Sequence, residues 1–351
     1  MLEVYNTNKI MKYLNYCILI LFITLLNSCM FFSVSHVPDS INKYNYQPFS
    51  EKNKLIVLEE DSKLKLNNNL PIIDGATALY PLYAAFVQAV YPKGEYYPNP
   101  TWDSENYVDI LPIVGCSRTS EAFDNLINGK VDIIFCFAPS ENQIEKAKEN
   151  GVIFNLTPIG KEAFVFFVNK RNSVSNLTTQ QIRDIYSGRT TNWNKLGGKN
   201  KNIKVYQREK NSGSQTMLKS IMGDEVIMEP IKENVIGFML DIIKQVSEYR
   251  NYDNAIGYSF LFYTTKMVND KKIKLLSING ITPSAETIKN GTYPYSEYFY
   301  AITTNTKNEN VNIFIEWILS EQGQNIVRKT GYVPINYDGH STGNPEYKIK
   351  S

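Results

Sequence analysis

The sequence predicts an α/β protein with a largely parallel sheet. Strand-like apolar runs alternate with helix-like segments, several of these segments close at a glycine, and 43% of the 351 residues are apolar. Alternating strands and helices are typical of parallel sheets, because a parallel crossover needs a helix-length connection. The chain is also long enough for two domains of ordinary size, each with its own core.

The folded part is predicted to begin at Leu70, after a polar stretch over residues 29–69 that suits a tether. LPIIDG reads as a buried strand followed by a glycine turn, and ATALYPLYAAFVQAVY has the spacing of a helix. YVDILPIVGC, VDIIFCFA, VIFNLTPI and AFVFFVN read as further strands. The helices SRTSEAFDNLINGK and ENQIEKAKENG are interleaved with them.

A second stretch of the same type begins at LTTQQIRDIYSG. Thr178 or Thr179 can cap its helix, and Gly188 can close it. A loop with Trp193, which we interpret as a structural anchor, precedes a strand that ends at Arg208. The rest predicts one long helix, three strands and a closing helix pair, in the order ENVIGFMLDIIKQVSEYR, NAIGYSFLFY, KIKLLSING, YFYAITTN and NVNIFIEWILSEQGQNIVRKTG.

The chain begins with the charge order of a signal peptide. Lys9 and Lys12 precede the apolar run YLNYCILILFITLL, which is too short for a comfortable membrane span. The run ends in LNSC, which resembles a bacterial lipobox, where the signal is cut before a cysteine that then carries lipid. We expect residues 1–28 to be a lipoprotein signal peptide and Cys29 to be lipidated. The alternatives are a transmembrane anchor and a chance cysteine.

Charge and side-chain inventory exclude several classes of function. The chain has 37 Lys and Arg residues and 35 Asp and Glu residues, so its net charge of +2 gives no strong positive potential for binding nucleic acid. The two histidines, His36 and His340, lie near poorly patterned ends, which argues against a histidine triad or a His-rich metal site. Cys116 and Cys136 could pair, but their apolar surroundings favour two buried thiols. We expect no enzyme activity, no cofactor and no metal.

The stretch REKNSGSQTM is the most informative about function. Arg208 comes four residues before Ser212, Gly213 and Ser214, which open a helix-like segment. A helix start exposes unpaired backbone N–H groups and favours negative charge by about 0.3 to 1 kcal/mol. Arginine adds a planar fork of donors that matches an oxyanion. The pattern therefore indicates an anion site, with a surface arginine beside simple helix caps as the alternative.

The order of the motifs resembles that of the PstS-like phosphate-binding proteins of ABC importers. The resemblance covers roughly residues 70–335 and runs through DGATALYP, LINGKVDI, LTTQQIRDIYSGRTTNWNKLGG, REKNSGSQT, NAIGYS and ILSEQGQNIVRKTGYVP. It implies a two-lobed type II periplasmic-binding-protein fold with mixed sheets and hinge crossover strands. Lobe one would comprise residues 70–161 and 262–351, and lobe two residues 162–261.

The resemblance also implies a function. The protein would be a lipid-anchored, monomeric solute-binding component on the extracytoplasmic face of the cell membrane, which binds phosphate or a related oxyanion and delivers it to an ABC permease. The alternatives are a sensory or adhesive surface lipoprotein with an altered ligand, and a hydrolase on the same fold. The implied ligand-binding groups are Thr77, the Ala78 N–H, Thr119, Ser120, Arg208, Ser212, Gly213 and Ser214.

Two residues depart from the family pattern. Phe137 stands where the family has an aspartate that accepts the proton of hydrogen phosphate, and Glu121 stands where the family prefers glycine. Glu121 could supply the acceptor from a neighbouring position, or it could repel a dianion. Specificity depends on which donors and acceptors are left unpaired. The sequence therefore leaves the ligand open among phosphate, related oxyanions and small acidic molecules.

Overall fold

The computed structural model describes residues 43–96, 113–248 and 253–335. The predicted signal peptide, the predicted lipidation site Cys29 and both histidines lie outside these ranges. Within them, no helix is both long and apolar enough to cross a membrane.

One mixed sheet forms the centre of the fold. Its strand order is β1-β2-β11-β3-β8-β5, and β12 and β9 also pair with β3. The prediction of a largely parallel sheet is wrong, because β3 runs antiparallel to both β11 and β8 while β1 and β2 are parallel. The described strands are β1 (Ile73–Gly75), β2 (Ile133–Phe137), β3 (Asn155–Asn169), β4 (Asn176–Leu177), β5 (Lys204–Val205), β6 (Gln207–Arg208), β7 (Val235–Ile236), β8 (Ala255–Phe260), β9 (Ile273–Leu275), β10 (Ser277–Ile278), β11 (Ser296–Thr303) and β12 (Val333–Pro334).

Strand β3 joins two halves of this sheet. Residues 155–163 pair with β11, and residues 164–168 pair with β8. We call β1, β2, β11, β12 and the start of β3 the first half, and the end of β3 with β8, β9 and β5 the second half. The sequence predicts two strands here, but the chain continues through Gly160 without a turn. A Cβ on Gly160 would collide with the ring of Phe299 on β11, so glycine serves close strand packing there.

Helices flank both halves of the sheet. Capping boxes of Ser140 with Gln143 and of Thr178 with Gln181 begin α3 and α4, so Thr178 is the cap of the predicted helix. The closing helix pair is also confirmed as α8 and α9. The described helices are α1 (Tyr80–Val90), α2 (Thr119–Ile127), α3 (Glu141–Glu149), α4 (Thr179–Tyr186), α5 (Gly213–Met222), α6 (Met239–Ser247), α7 (Ala285–Lys289), α8 (Asn310–Leu319) and α9 (Glu321–Thr330).

The two faces of β2 show how the first half is packed. Phe135 stacks on Tyr83 of α1 with ring centroids 5.1 Å apart, whereas Cys136 lies in a separate cluster with Phe123 of α2. Successive strand residues point to opposite faces, so α1 and α2 cover opposite sides of the sheet. Cys116 and Cys136 are both buried and are not joined by a disulfide, as predicted.

The predicted long helix over ENVIGFMLDIIKQVSEYR is wrong at its start. Its first part forms β7, which pairs with β6, and α6 begins only at Met239. The carbonyl groups of Ile236 and Gly237 accept hydrogen bonds from the Arg208 guanidinium. A helix would need those carbonyl groups for its own backbone bonds, so the arginine and the helix compete for them.

The segment predicted as a tether, residues 29–69, is packed against the first half from residue 43 on. Leu55 and Leu66 are buried, and the Lys63 N–H donates to Gln322 Oε1 on α9 at 2.8 Å. Isolated apolar residues in a polar stretch give no periodic signal, so the sequence analysis missed this packing. The folded body therefore takes in residues that come before the predicted start.

Candidate functional site

Arg208, at the end of β6, is 7% exposed. Its Nε donates to the Ile236 carbonyl at 2.9 Å, and its Nη2 donates to the Gly237 carbonyl at 2.8 Å. Its Nη1 is buried and has no hydrogen-bond partner within the described part of the chain. Desolvation lowers the pKa of this guanidinium, which nevertheless stays charged. A buried charge with an unused donor can bind an anion from outside the chain.

The start of α5 is fixed to Arg208. Ser212 is the N-cap, and its Oγ accepts from the Gln215 N–H at 3.2 Å. The side chain of Gln215 in turn accepts from the Arg208 backbone N–H at 3.0 Å and is bonded to the Tyr258 hydroxyl. Ser214 is 1% exposed, and its Oγ has no hydrogen-bond partner among the described residues. Arg208 Nη1 and Ser214 Oγ, two buried donors without a partner among the described residues, thus lie in one hydrogen-bonded unit formed by β6 and the start of α5.

The start of α2 faces the start of α5. A Cβ added to Gly213 would lie 3.1 Å from Thr119 Oγ1, so the first residues of the two helices are in near contact. Thr119 is buried and Ser120 half-buried. The N-terminal ends of both helices carry positive partial charge. Two such ends repel each other, and an anion near both would remove that repulsion.

Thr77 and Ala78 lie beside the loop that precedes α2. They open a 3₁₀ turn, Thr77–Leu79, which leads into α1. The Cys116 Sγ is 3.9 Å from Thr77 Oγ1, and the Tyr332 hydroxyl donates to the Ala78 carbonyl. The structure therefore brings Thr77 next to the segment of Thr119, and Thr119 next to Gly213.

Asp74, which the sequence analysis did not single out, holds the loop before α2. It is fully buried, and its Oδ1 accepts from the N–H groups of Gly75 at 2.7 Å and Ser117 at 2.8 Å. Its Oδ2 accepts from Asn125 Nδ2 at 2.9 Å and from the Ser117 hydroxyl. The signal was available as a lone acid inside the apolar run LPIIDG, because a buried carboxylate requires several donors.

The two residues that depart from the family pattern have other partners. Phe137 is buried and stacks on Phe260 with ring centroids 3.9 Å apart and planes 5° apart. The Glu121 carboxylate forms an ion pair with Arg118, and its side chain is 45% exposed. Phe137 cannot accept a hydrogen bond, and Glu121 is engaged with its neighbour.

Polar contacts also link α3 to the loop before α5. Asn211 Nδ2 donates to Asn142 Oδ1 at 3.1 Å, and Ser140 Oγ donates to Asn211 Oδ1 at 3.3 Å. Lys219 of α5 pairs with Glu141 of α3. Both members of that ion pair are exposed, so it adds little stability, but the set links α3, which follows β2 of the first half, to α5.

No group of three or more His, Cys, Asp or Glu side chains among residues 43–96, 113–248 and 253–335 could hold a metal ion. The groups gathered at the helix starts are hydroxyls, backbone N–H groups and one guanidinium. Such groups donate hydrogen bonds and suit an anion.

Comparison with known proteins gives the family. Residues 72–322 match the PBP superfamily domain. The chain is 26% identical over 214 residues to the phosphate-binding protein PstS of Borreliella burgdorferi, which covers 60% of this chain and 76% of that protein. It is 24% identical over 308 residues to protein SphX of Synechococcus elongatus, which covers 80% of this chain and 88% of that protein.

A solved structure supports the same fold. It is described as a phosphate ABC transporter substrate-binding protein from Clostridium perfringens with bound phosphate. The TM-score is 0.57 at 24% identity, with 75% of this chain and 98% of that chain covered. The predicted type II periplasmic-binding-protein fold and the resemblance to PstS-like proteins are both confirmed, and the chain belongs to the PBP superfamily.

Proposed function

We propose that this protein is the solute-binding component of an ABC importer, which binds phosphate or a related oxyanion and delivers it to a membrane permease. The observation that carries the proposal is the buried Arg208 with an unused donor, joined to a helix start that faces a second helix start. An oxyanion at this place would receive the free donors and screen the repulsion between the helix ends.

The relatives support both the ligand and the transport role. The B. burgdorferi relative is described as phosphate-binding, and the C. perfringens structure as a transporter component with bound phosphate. Such a component binds and releases its solute without chemistry, usually by closing two lobes around it. We therefore propose no enzyme activity, no cofactor and no nucleic-acid partner.

We propose that donors from three segments of the chain hold the ligand. Hydroxyl and backbone donors with a single guanidinium can bind a dehydrated oxyanion without an excess of positive charge. The groups in the first half would be Thr77, the Ala78 N–H, Thr119 and Ser120, and those on the β6 and α5 side would be Arg208, Ser212, Gly213 and Ser214.

We propose the same lobe boundaries that the resemblance implies, with lobe one at residues 70–161 and 262–351 and lobe two at residues 162–261. The change of strand partner along β3, from β11 to β8, supports the first boundary. The end of β8 at Phe260 supports the second boundary. The two crossings between the lobes would form the hinge.

We propose that residues 1–28 direct export and that Cys29 carries a lipid. The protein would then be a monomer anchored to the extracytoplasmic face of the cell membrane. The apolar run followed by LNSC supports this proposal. The wild-type protein should incorporate labelled fatty acid in bacterial cells and Cys29→Ala should not, and equal labelling of both would contradict the anchor.

The second candidate is a sensory or adhesive surface lipoprotein that keeps the fold with an altered ligand. This candidate is favoured by Phe137, which stacks on Phe260 at the position where the family pattern has a hydrogen-bond-accepting aspartate. A folded chain that binds neither phosphate nor sulfate would support this candidate over transport of an oxyanion.

Calorimetric titration with phosphate, sulfate and small carboxylates, each at two pH values, tests the main proposal. We expect saturable binding of at least one oxyanion at a single site, and its loss in an Arg208→Ala variant. Arg328→Ala is the matched control, since Arg328 is exposed on α9 and bonds to Asn325. Thermal melting shows that each variant is folded. Equal affinities of wild type and Arg208→Ala would contradict the site.

A further inference from the structure

Arg118 has a backbone conformation that residues other than glycine rarely adopt. Its φ is 80° and its ψ is 171°, and this region is strained for any residue with a Cβ. Arg118 is the N-cap of α2, and its carbonyl accepts from the Ala122 N–H at 3.0 Å. Glycine would fit this position without strain. The chain therefore carries an arginine side chain at a position where glycine would cost less.

The Arg118 side chain reaches from the first half toward α6. Its Cζ lies 5.1 Å from the centroid of the Phe238 ring, which directly precedes α6. Phe238 is 39% exposed and follows Gly237, whose carbonyl holds Arg208. The ion pair with Glu121 on the same helix start orients the guanidinium. A cation over an aromatic ring is attracted to it, so this contact links the two sides of the proposed site.

The charge of Arg118 also reaches the proposed anion site. Desolvation is the largest cause of the lowered pKa of Arg208, and the positive charge of Arg118 lowers it further. Two like charges that interact in this way oppose the arrangement in which they are close. An oxyanion beside Arg208 would remove that opposition, and the docking of Arg118 on Phe238 would then be favoured.

We propose that Arg118 is a gating residue, which docks on Phe238 when an oxyanion is bound at Arg208 and slows release of the oxyanion. This inference rests on the proposed function and adds to it the residue that retains the ligand. Repulsion between the guanidinium groups of Arg118 and Arg208 disfavours the docked state without ligand. Arg118 then docks on Phe238 mainly when the oxyanion site is occupied. It acts on the ligand by holding the two sides of the site together and through its positive charge.

Stopped-flow measurement of phosphate and sulfate dissociation tests the proposal. We expect release to be about tenfold faster from Arg118→Gln than from wild type, because glutamine lacks the charge that Phe238 attracts. Arg118→Lys keeps the charge without the planar guanidinium and should rescue part of the difference. Phe238→Ala should also speed release, and the double variant Arg118→Gln/Phe238→Ala should be no faster than the more affected single variant.

Arg118→Gly separates strain from gating. It should release the oxyanion as fast as Arg118→Gln, while the ligand-free protein melts at the wild-type temperature or higher because glycine adopts φ 80° freely. Asn269→Gly is the matched control, since Asn269 has a φ of 52° and follows the π-helical turn Tyr263–Val268. It should leave the release rate unchanged.

The outcomes separate the two proposals. Binding of neither oxyanion by the folded wild-type chain overturns both the proposed function and the gate. Binding that Arg208→Ala abolishes, with wild-type release rates in Arg118→Gln and Phe238→Ala, overturns the gate alone. Faster release in both variants with partial rescue by lysine supports it.

Discussion

The two helix starts at the proposed site are built in opposite ways. The start of α5 is capped by Ser212 and backed by the buried Arg208, two of whose nitrogens are bonded to backbone carbonyls. Within the described residues, the start of α2 has no side-chain cap, and its N-cap Arg118 has a strained backbone and a side chain that is 41% exposed. One side is fixed before a ligand arrives, and the other is held partly by contacts across the site.

This difference assigns separate tasks to the two sides. A preorganised donor set loses little freedom on binding, so the α5 side should supply most of the affinity. The α2 side is supported from behind by Asp74 but reaches across to Phe238 with the partly exposed side chain of Arg118. It should therefore govern how long the ligand stays. Four experiments, in order of expected effect, test the junction of the two halves of the sheet and then this division.

The largest effect concerns Glu162, on β3 where the two halves of the sheet meet. It is 3% exposed, and its carboxylate accepts from the N–H groups of Ala163 at 2.8 Å and Phe262 at 3.1 Å. Desolvation raises its pKa from the ordinary 4.5 to about 8. The folded carboxyl thus holds its proton at pH values where the unfolded one has lost it, so its contribution to stability is full below pH 4.5 and is lost as pH rises to about 8.

Urea denaturation of wild type and Glu162→Gln across this pH range measures that loss. We expect the free energy of unfolding of wild type, relative to the variant, to fall by up to roughly 4 kcal/mol between pH 5 and 8. If the free energy of unfolding of wild type and of Glu162→Gln changed with pH in the same way, Glu162 would not titrate in this pH range.

The next effect concerns the anchoring of Arg208. Arg208→Lys keeps the charge but loses the bonds from Nε and Nη2 to Ile236 and Gly237. We expect the affinity for the oxyanion to fall about 100-fold, or by about 3 kcal/mol, because the remaining cation is neither forked nor held in place. Calorimetry measures this loss. A change smaller than about threefold would mean that charge alone is sufficient and that the α5 side is not preorganised.

Asp74→Asn weakens the support of the α2 side. The amide would turn one nitrogen toward donors that now meet a carboxylate oxygen, so we expect the free energy of unfolding to fall by roughly 2 kcal/mol. Affinity should fall as well, because the loop that carries Ser117 leads into α2.

The matched control for Asp74→Asn is Asp132→Asn. Asp132 also accepts several bonds, including those from the Ile72 N–H at 2.9 Å and the Thr306 hydroxyl at 2.7 Å. This variant should lower stability and leave affinity unchanged. Equal loss of affinity in both variants would show that the effect of Asp74 comes through general destabilisation.

The smallest effect compares two helix caps. Ser212→Ala and Thr178→Ala each remove a side chain that accepts a backbone N–H, and each should cost about 1 kcal/mol of stability. Only Ser212→Ala should also reduce oxyanion affinity, since Thr178 caps α4 and is not among the proposed ligand groups. Thermal melting and titration of both variants decide this, and a similar affinity for both would restrict Ser212 to a structural role.

Local signals made much of this architecture predictable. The capping box of α4 lies within the four residues Thr178 to Gln181, and the sequence 208–217 contains both Arg208 and the helix start that Ser212 caps. Such features depend on neighbours in sequence, which a single chain displays directly. The order β1, α1, α2, β2 and α3 followed from the same kind of pattern, whereas most of the predicted strand YVDILPIVGC lies outside the described residues.

The features that were missed depend on distant neighbours. β7 forms because Val235 and Ile236 pair with the strand of Arg208, and β3 stays continuous because it changes partners from β11 to β8. The donors around Asp74 come from up to 51 positions away, at Asn125. The positive φ of Arg118 has no local signature, because the residue type itself argues against it.

A crystal structure of the protein purified without added ligand tests the central claim most directly. The account predicts an oxyanion within about 2.7 to 3.2 Å of Arg208 Nη1, with the starts of α2 and α5 on either side of it. An Nη1 bonded to another group of the protein, or an anion bound only away from both helix starts, would contradict it.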